Sequence, residues 1–546
     1  MAAIIQSGKL EQYSFSEEEK LHVYCGLDNC LTHEIMGHIE TQLNDADTRQ
    51  TYEFEMGMLG PAFAMMRRGF KVDLEAVELA LHGDGGAKPH YQMFDERWEA
   101  ENDARDRRLG LYQRRKLMGG MEKVGKKWEI TNEDALIQRY AYAIWDKPLN
   151  YNSPIQLKAL LYDELQIPPV MERKGAVMKP VTNRAALEKI IGNYPRGEPI
   201  CRVLMIIRDL QKKIDILTKQ LTSDGRMATS YNVAGCETGR WSSSESCFKT
   251  GTNMQNITPE LRSVFVADPG YVMFHADLEQ AESRATGYLA EDEKYIEACE
   301  SGDLHSTVAS MVFGIEPDKE STSRRCYRHF TYRDMAKRAG HGTNYALSPI
   351  SLARHMHIPN SEAFKFHMLY LGGELPLVRA EKLGLLDLPH SRIEGMCLFE
   401  GAFLGIKLWH ERLRIELESN GVLWTPYNRK RTFWERLDSS TTLREAIANG
   451  PQSMIGDLLN IGLWRVWDTL EPEGLQLLAQ GHDSITGQIP KEKLDDLLPR
   501  VLECMNNPTQ VKDKIMVVPV EAKVGYDWHN LVEWTKWQEG ERPKTM

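Results

Sequence analysis

The sequence predicts a helix-rich α+β protein whose short strands meet in antiparallel pairs. Three observations lead there. Apolar residues recur with helical spacing behind clear helix starts through much of the chain. A short apolar run, YVMFHA at 271–276, follows a stretch too rich in Ser, Thr, Gly and Asn to be helical. Two late segments, LQLLAQGHDSITGQIP (475–490) and VKDKIMVVPVEAKVG (511–525), read as a strand, a turn and a strand and as a strand pair.

The elements follow in order. SEEEKLHVYCGLDNCLTHEIMGHIETQL, from Ser16 to Leu43, has helical spacing, and its acidic first turn suits the unpaired amides of a helix start. GFKVD (69–73) reads as a turn into a short extended piece, and 75–140 as a charged, solvated region. Asn152 and Ser153 before Pro154 start a helix that ends near the double proline 168–169. Two more helices follow between about 180 and 222, forming a helical subdomain. Residues 225–275 turn to short extended pieces. From 279 to 470 the chain is largely helical, with loops near 315–325 and 370–390.

At 546 residues several domains are expected, since single cores stop growing near ~250–300 residues. Apolar residues at 42%, charged ones at 27% and 12 Trp describe a folded protein. The net charge of -11 argues against a protein that coats nucleic acid with its whole surface, while leaving room for a local basic groove. Nine cysteines without a CxxC pair indicate neither a thiolate zinc site nor a disulfide scaffold. No apolar run approaches the ~20 residues of a membrane span, so the expected location is the cytoplasm, or the host cytoplasm for a viral product.

Asp277 and Asp483 each sit at the rim of an apolar strand. Taken singly, either fits a helix cap or a hairpin turn. On adjacent antiparallel strands they would face each other, and two facing carboxylates resist burial unless protonated or paired with cations. Two Mg2+ ions about 4 Å apart would supply that charge and promote in-line phosphoryl displacement. A third piece supports them. Arg333, Lys337 and His341 recur every four residues along one helix face that Tyr345 can extend, a face suited to a triphosphate. Arg324, Arg325 and Arg328 lie just upstream.

These residues resemble the motifs of family A DNA polymerases. DLEQAESR (277–284) is similar to motif A, RDMAKRAGHGTNYA (333–346) to motif B and QGHDSI (480–485) to motif C, in the required order. ETGRWSS (237–243), NMQNI (253–257) and GDLHSTVA (302–309) add context, and the likeness runs from about residue 52 to the C-terminus through MMRRGFKVD, YNSPIQL and VPVEAKVGYDW. The resemblance implies a right-hand fold with an antiparallel palm sheet and a helical thumb and fingers. It places the end of an exonuclease-like domain, or its remnant, at 1–50. The opening of the polymerase domain and the thumb fall at 51–235, the palm with motif A at 236–300, the fingers with motif B at 301–410, and the palm with motif C at 411–546.

The activity implied is Mg2+-dependent transfer of deoxynucleotides to a primer 3′ end on a DNA template during replication. By this resemblance Asp277 and Asp483 hold two metal ions, and Lys337 doubles as general acid toward pyrophosphate. Glu282 guards the sugar pocket against a 2′ hydroxyl. His305, Arg333, Lys337, His341 and Tyr345 contact the incoming nucleotide. Arg240, Gln255, Arg429, Asn449, Gln452 and His482 contact primer-template DNA.

The chain also departs from the pattern. His341 replaces Phe or Tyr, which is expected to alter selectivity among nucleotide analogues. Ser484 replaces the acid after Asp483, and Gly340 and Ala346 depart from motif B. YCGLD (24–28) is similar to the last motif of a 3′ to 5′ exonuclease whose earlier carboxylates are missing, so no proofreading is expected from this chain. A separate exonuclease or a processivity factor is an expected partner. The rival readings are a repair enzyme, an RNA polymerase on a related palm, and an inactive DNA-binding or assembly subunit.

Overall fold

The computed structural model describes residues 16–45, 47–84, 109–124, 126–175, 177–246, 248–327 and 330–543. A five-stranded antiparallel sheet forms its centre, in the spatial order Gln476–Gln480, Ser484–Pro490, Tyr271–Leu278, Val520–Gly525, Leu531–Glu533. YVMFHA therefore belongs to the middle strand. Side chains alternate across a strand. Val272, Phe274, Ala276 and Leu278 enter a core shared with Ile485, Ile489, Val524 and the long helix Ser440–Leu470. His275 and Asp277 take the other face. Gly487 lies opposite Phe274, and a Cβ there would stand 2.5 Å from the ring, so the neighbouring strand needs glycine for this close approach.

Helical groups flank the sheet. Glu198–Leu217 is the spine of one, burying Val203, Leu204, Ile207 and Leu210 against Leu136, Leu157 and Leu187. The helices Leu304–Phe313, Tyr332–Asn344, Asn360–Leu371 and Leu404–Asn420 form another around Phe366, Tyr370 and Phe403. The starts read from sequence are present. Ser153 accepts from the Gln156 amide at 3.4 Å ahead of Pro154, and Glu17–Asp45 is one continuous helix. Asp28 is exposed on that helix, while the Tyr24 side chain and Arg328 lie outside what is described.

The structure corrects three expectations. The charged region 75–140 is only partly a solvated surface. Its helices Leu111–Gly119 and Leu136–Trp145 bury Leu111, Met118, Ile137 and Ala141, and buried Arg114 is neutralised by Glu260 at 2.6 Å. The loop expected near 370–390 instead begins a three-stranded sheet, Gly373–Pro376, Met396–Phe399 and His390–Ile393. VKDKIMVVPVEAKVG divides between a small hairpin, Thr509–Val511 with Lys514–Met516, and the Val520–Gly525 strand of the central sheet.

A buried ion cluster ties the helix Arg49–Gly57 to the body. Arg429, 6% exposed, donates to Asp457 at 2.6 Å and to Glu55 at 2.6 Å. Removing one partner of a buried pair strands the other charge. Asp457→Ala is expected to cost about 3–5 kcal/mol, read from the urea midpoint. An unchanged midpoint would show that water replaces the carboxylate.

Candidate active site

Antiparallel pairing builds the site. Asp277 is registered opposite Ser484, and the Leu278 amide donates to the Asp483 carbonyl at 2.9 Å, so the two aspartates share one end of adjacent strands. Burial, and then Asp483, push the Asp277 carboxyl up to about 7, against the pull of Lys523 and Arg262. The Asp483 carboxyl is likewise raised, chiefly by burial. Two raised carboxyls at one point mark a place short of positive charge. The pair stands between two clefts. One, of about 680 Å³, brings Asp277 and Asp483 together with Glu282, His305, Lys337 and His341. The other, of about 700 Å³, runs past Arg262, His275, Glu521 and Lys523.

Glu282 lies in the first turn of the helix Ala281–Ala290 that follows Asp277. It accepts from the Arg240 guanidinium and from the Tyr345 hydroxyl. Burial alone would raise this carboxyl; Arg240 and Tyr345 instead hold it below the usual carboxylate range. The same contact lifts the Tyr345 hydroxyl, which burial already raises.

The helix Tyr332–Asn344 opens on a capping box between Thr331 and Asp334 and persists through both glycines. Gly340 lets it close on the Tyr370 ring, which a Cβ would meet at 3.3 Å. Tyr345 caps its C-terminal end and meets His341 edge-on, with ring centroids 5.0 Å apart. Lys337 and His341 are exposed toward the cleft. Arg333 is held by Asp303 at 3.1 Å. His305 is pushed down to about 4 by burial and by the cations Arg333 and Lys337, so it is neutral at pH 7.

Gln255 donates to Gln480 at 2.9 Å and to the Trp241 carbonyl, next to Arg240. Gln480 donates onward to Asn460 at 3.2 Å, and Asn460 to the Gly239 carbonyl at 3.4 Å. His482 lies at the turn between the two strands, its imidazole lowered by partial burial and then by Arg240. On the long helix Asn449 is buried and accepts from Ser453 at 3.3 Å, and Gln452 is half-buried.

Arg429 is not a phosphate contact. Its guanidinium is spent on Asp457 and Glu55 and packs under Gly239, where a Cβ would meet it at 2.4 Å. The sequence reading also missed His275, which hydrogen-bonds Thr486 at 2.9 Å, together with Arg262, Glu521 and Lys523 beside Asp277. The signal was the alternation within VMFHADL, whose second face is polar at His275 and Asp277.

Among the described residues no group of three or more His, Cys, Asp or Glu gathers as a metal cage. The donor set still fits a hard cation, since Mg2+ is commonly held by one or two carboxylates plus water and substrate phosphates. No described helix is long and apolar enough to cross a membrane.

The chain is 28% identical over 416 residues to a thermostable DNA polymerase I of Thermus filiformis, covering 73% of this chain and 44% of that protein. It is 27% identical over 420 residues to the Thermus aquaticus counterpart, covering 74% of this chain and 45% of that one. It thus spans less than half the length of these relatives. A solved structure described as the POL domain of Pol1 from M. smegmatis in complex with DNA primer-template and dNTP superposes with a TM-score of 0.64. The identity there is 22%, and the match covers 92% of this chain and 74% of that one. The right-hand fold expected from sequence is thereby shown. The family model for DNA polymerase family A matches residues 122–530, well over half of the sequence, and the chain belongs to DNA polymerase family A.

Proposed function

We propose that this chain is a DNA-directed DNA polymerase that extends a primer 3′ end with deoxynucleotides in replication. The observation that carries the reading is the pairing of Asp277 with Asp483 on adjacent strands, both carboxyls raised, at the mouth of a cleft walled by a basic helix. Family A polymerases depend on divalent metal as a class, and Asp277 and Asp483 would hold two Mg2+ here. When bound, such ions neutralise the triphosphate and activate the primer hydroxyl.

The chain's own residues do the rest. Arg333, Lys337 and neutral His305 receive the triphosphate, and Lys337 donates a proton to the departing pyrophosphate. Tyr345 and His341 flank the nascent pair, and Glu282 excludes a 2′ hydroxyl. Arg240, Gln255 and His482 approach the primer terminus, where similar minor-groove acceptors on all pairs permit a check of shape without sequence. Asn449 and Gln452 serve the template side.

The domain limits above remain our reading of the resemblance, with 236–300 and 411–546 contributing strands to one sheet. A cytoplasmic location, and a separately supplied exonuclease or processivity factor, belong to the same proposal. The test is extension of a labelled primer with Mg2+, omitting each deoxynucleotide in turn. Stops dictated by the omitted base are expected. No extension beside intact DNA binding and an active control enzyme would favour an inactive subunit.

A further inference from the structure

A third cavity, of about 840 Å³, lies away from the aspartate pair, between the helix Leu111–Gly119, the hairpin that follows it and the far end of Glu198–Leu217. Tyr112, Arg115, Trp128 and Gln211 line it, together with exposed Lys116 and Lys123.

Arg115 is the anomaly there. The residue is 8% exposed, and its guanidinium lies 5.6 Å from the Tyr112 ring centroid and 5.1 Å from that of Trp128. One Nη donates to Gln211 at 2.6 Å, while the buried Nε has no partner among the described residues. Among the described residues, neither carboxylate in the wall serves it. Asp215 accepts from the Gln211 amide at 2.6 Å, and Glu122 pairs with Lys116 at 3.3 Å. The adjacent Arg114, by contrast, has Glu260.

Burying a cation without a counter-ion is costly, and two ring faces return only part of that cost. An oxyanion entering the cavity would supply the remainder, and a guanidinium suits phosphate. The Tyr112 and Trp128 rings and the Asn152 amide suit a flat heterocycle with donors and acceptors on its rim. The volume falls in the ~300–1,000 Å³ range of small-ligand sites. We propose that this cavity is a second nucleotide site, binding a nucleoside monophosphate unit, free or within a single strand, with its phosphate on Arg115. The inference does not depend on the polymerase reading.

Equilibrium dialysis of the full chain with labelled dAMP, without divalent cation, tests it. Binding should persist in Asp277→Asn and weaken by about tenfold or more in Arg115→Met, which keeps bulk between the rings but loses the charge-assisted bonds. Lys123→Glu, at an exposed position, should weaken binding several-fold and guards against misfolding of the first variant. Identical isotherms for the parent and both variants would overturn the site. Displacement by inorganic phosphate as effective as by unlabelled dAMP would overturn the nucleotide assignment. Tighter competition by an oligo(dT) eight-mer than by dAMP would assign the site to a strand, and the reverse to the free nucleotide.

Discussion

Asp277→Asn is expected to lower primer extension by about a thousandfold or more while leaving DNA binding nearly unchanged. A cation lends several kcal/mol to phosphoryl transfer, and each ~1.4 kcal/mol is tenfold in rate. The same substitution should stabilise the metal-free protein. The Asp277 carboxyl is raised to about 7 in the fold, so its ionised form disfavours the native state. The penalty is absent below the unfolded value near ~3.9, grows as pH rises between there and about 7, and is full above. In EDTA at pH 8 the variant should gain about 1–2 kcal/mol, after discounting for solvent screening, and the gain should vanish near pH 4. Mg2+ should then raise the melting temperature of the parent and not of the variant. Near-normal extension by the variant would remove Asp277 from the metal assignment; a pH-independent stability difference would remove the electrostatic account.

Glu282→Ala carries the second large effect. Glu282 is the common partner of Arg240 and Tyr345, which reach it from opposite directions in the sequence. Its removal takes from Arg240, whose Nε has no partner among the described residues, its hydrogen-bonded counter-ion and leaves only the more distant Asp483 to balance the charge. A loss of about 2–3 kcal/mol is expected, below the full buried-pair range because the side chains are partly exposed. In single-turnover extension the preference for deoxy- over ribonucleotides should fall by about tenfold or more, since a pocket that rejects a hydroxyl by shape loses its wall. Glu282→Gln keeps the bulk and a hydrogen bond but not the charge, so it should keep most of the sugar preference while losing stability. An unchanged sugar ratio in both variants would leave Glu282 as a structural anchor alone.

What was legible in the sequence was what local pattern encodes. The i, i+4 repeat of Arg333, Lys337 and His341 does form one helix, and the apolar runs around Asp277 and Asp483 do form neighbouring strands. What stayed hidden depends on partners remote in the chain. Arg429 reads as a DNA contact in the sequence because its partner Glu55 lies 374 residues away from it. Arg333 gave no sign of its ion pair with Asp303. The paired strands Met121–Val124 with Lys127–Ile130, and Met171–Lys174 with Val177–Pro180, are four residues each, at the lower limit of length at which alternation marks a strand.

The central strand has one more consequence, in time. Tyr271–Leu278 is flanked on both sides by strands synthesised more than 200 residues later, Ser484–Pro490 and Val520–Gly525. While the ribosome is still making those segments, Asp277 belongs to an unpaired edge, and contacts of such long sequence separation form slowly. The aspartate pair therefore comes into being only when the Ser484–Pro490 strand docks, so a nascent chain that has not yet placed that strand holds Asp277 without its partner.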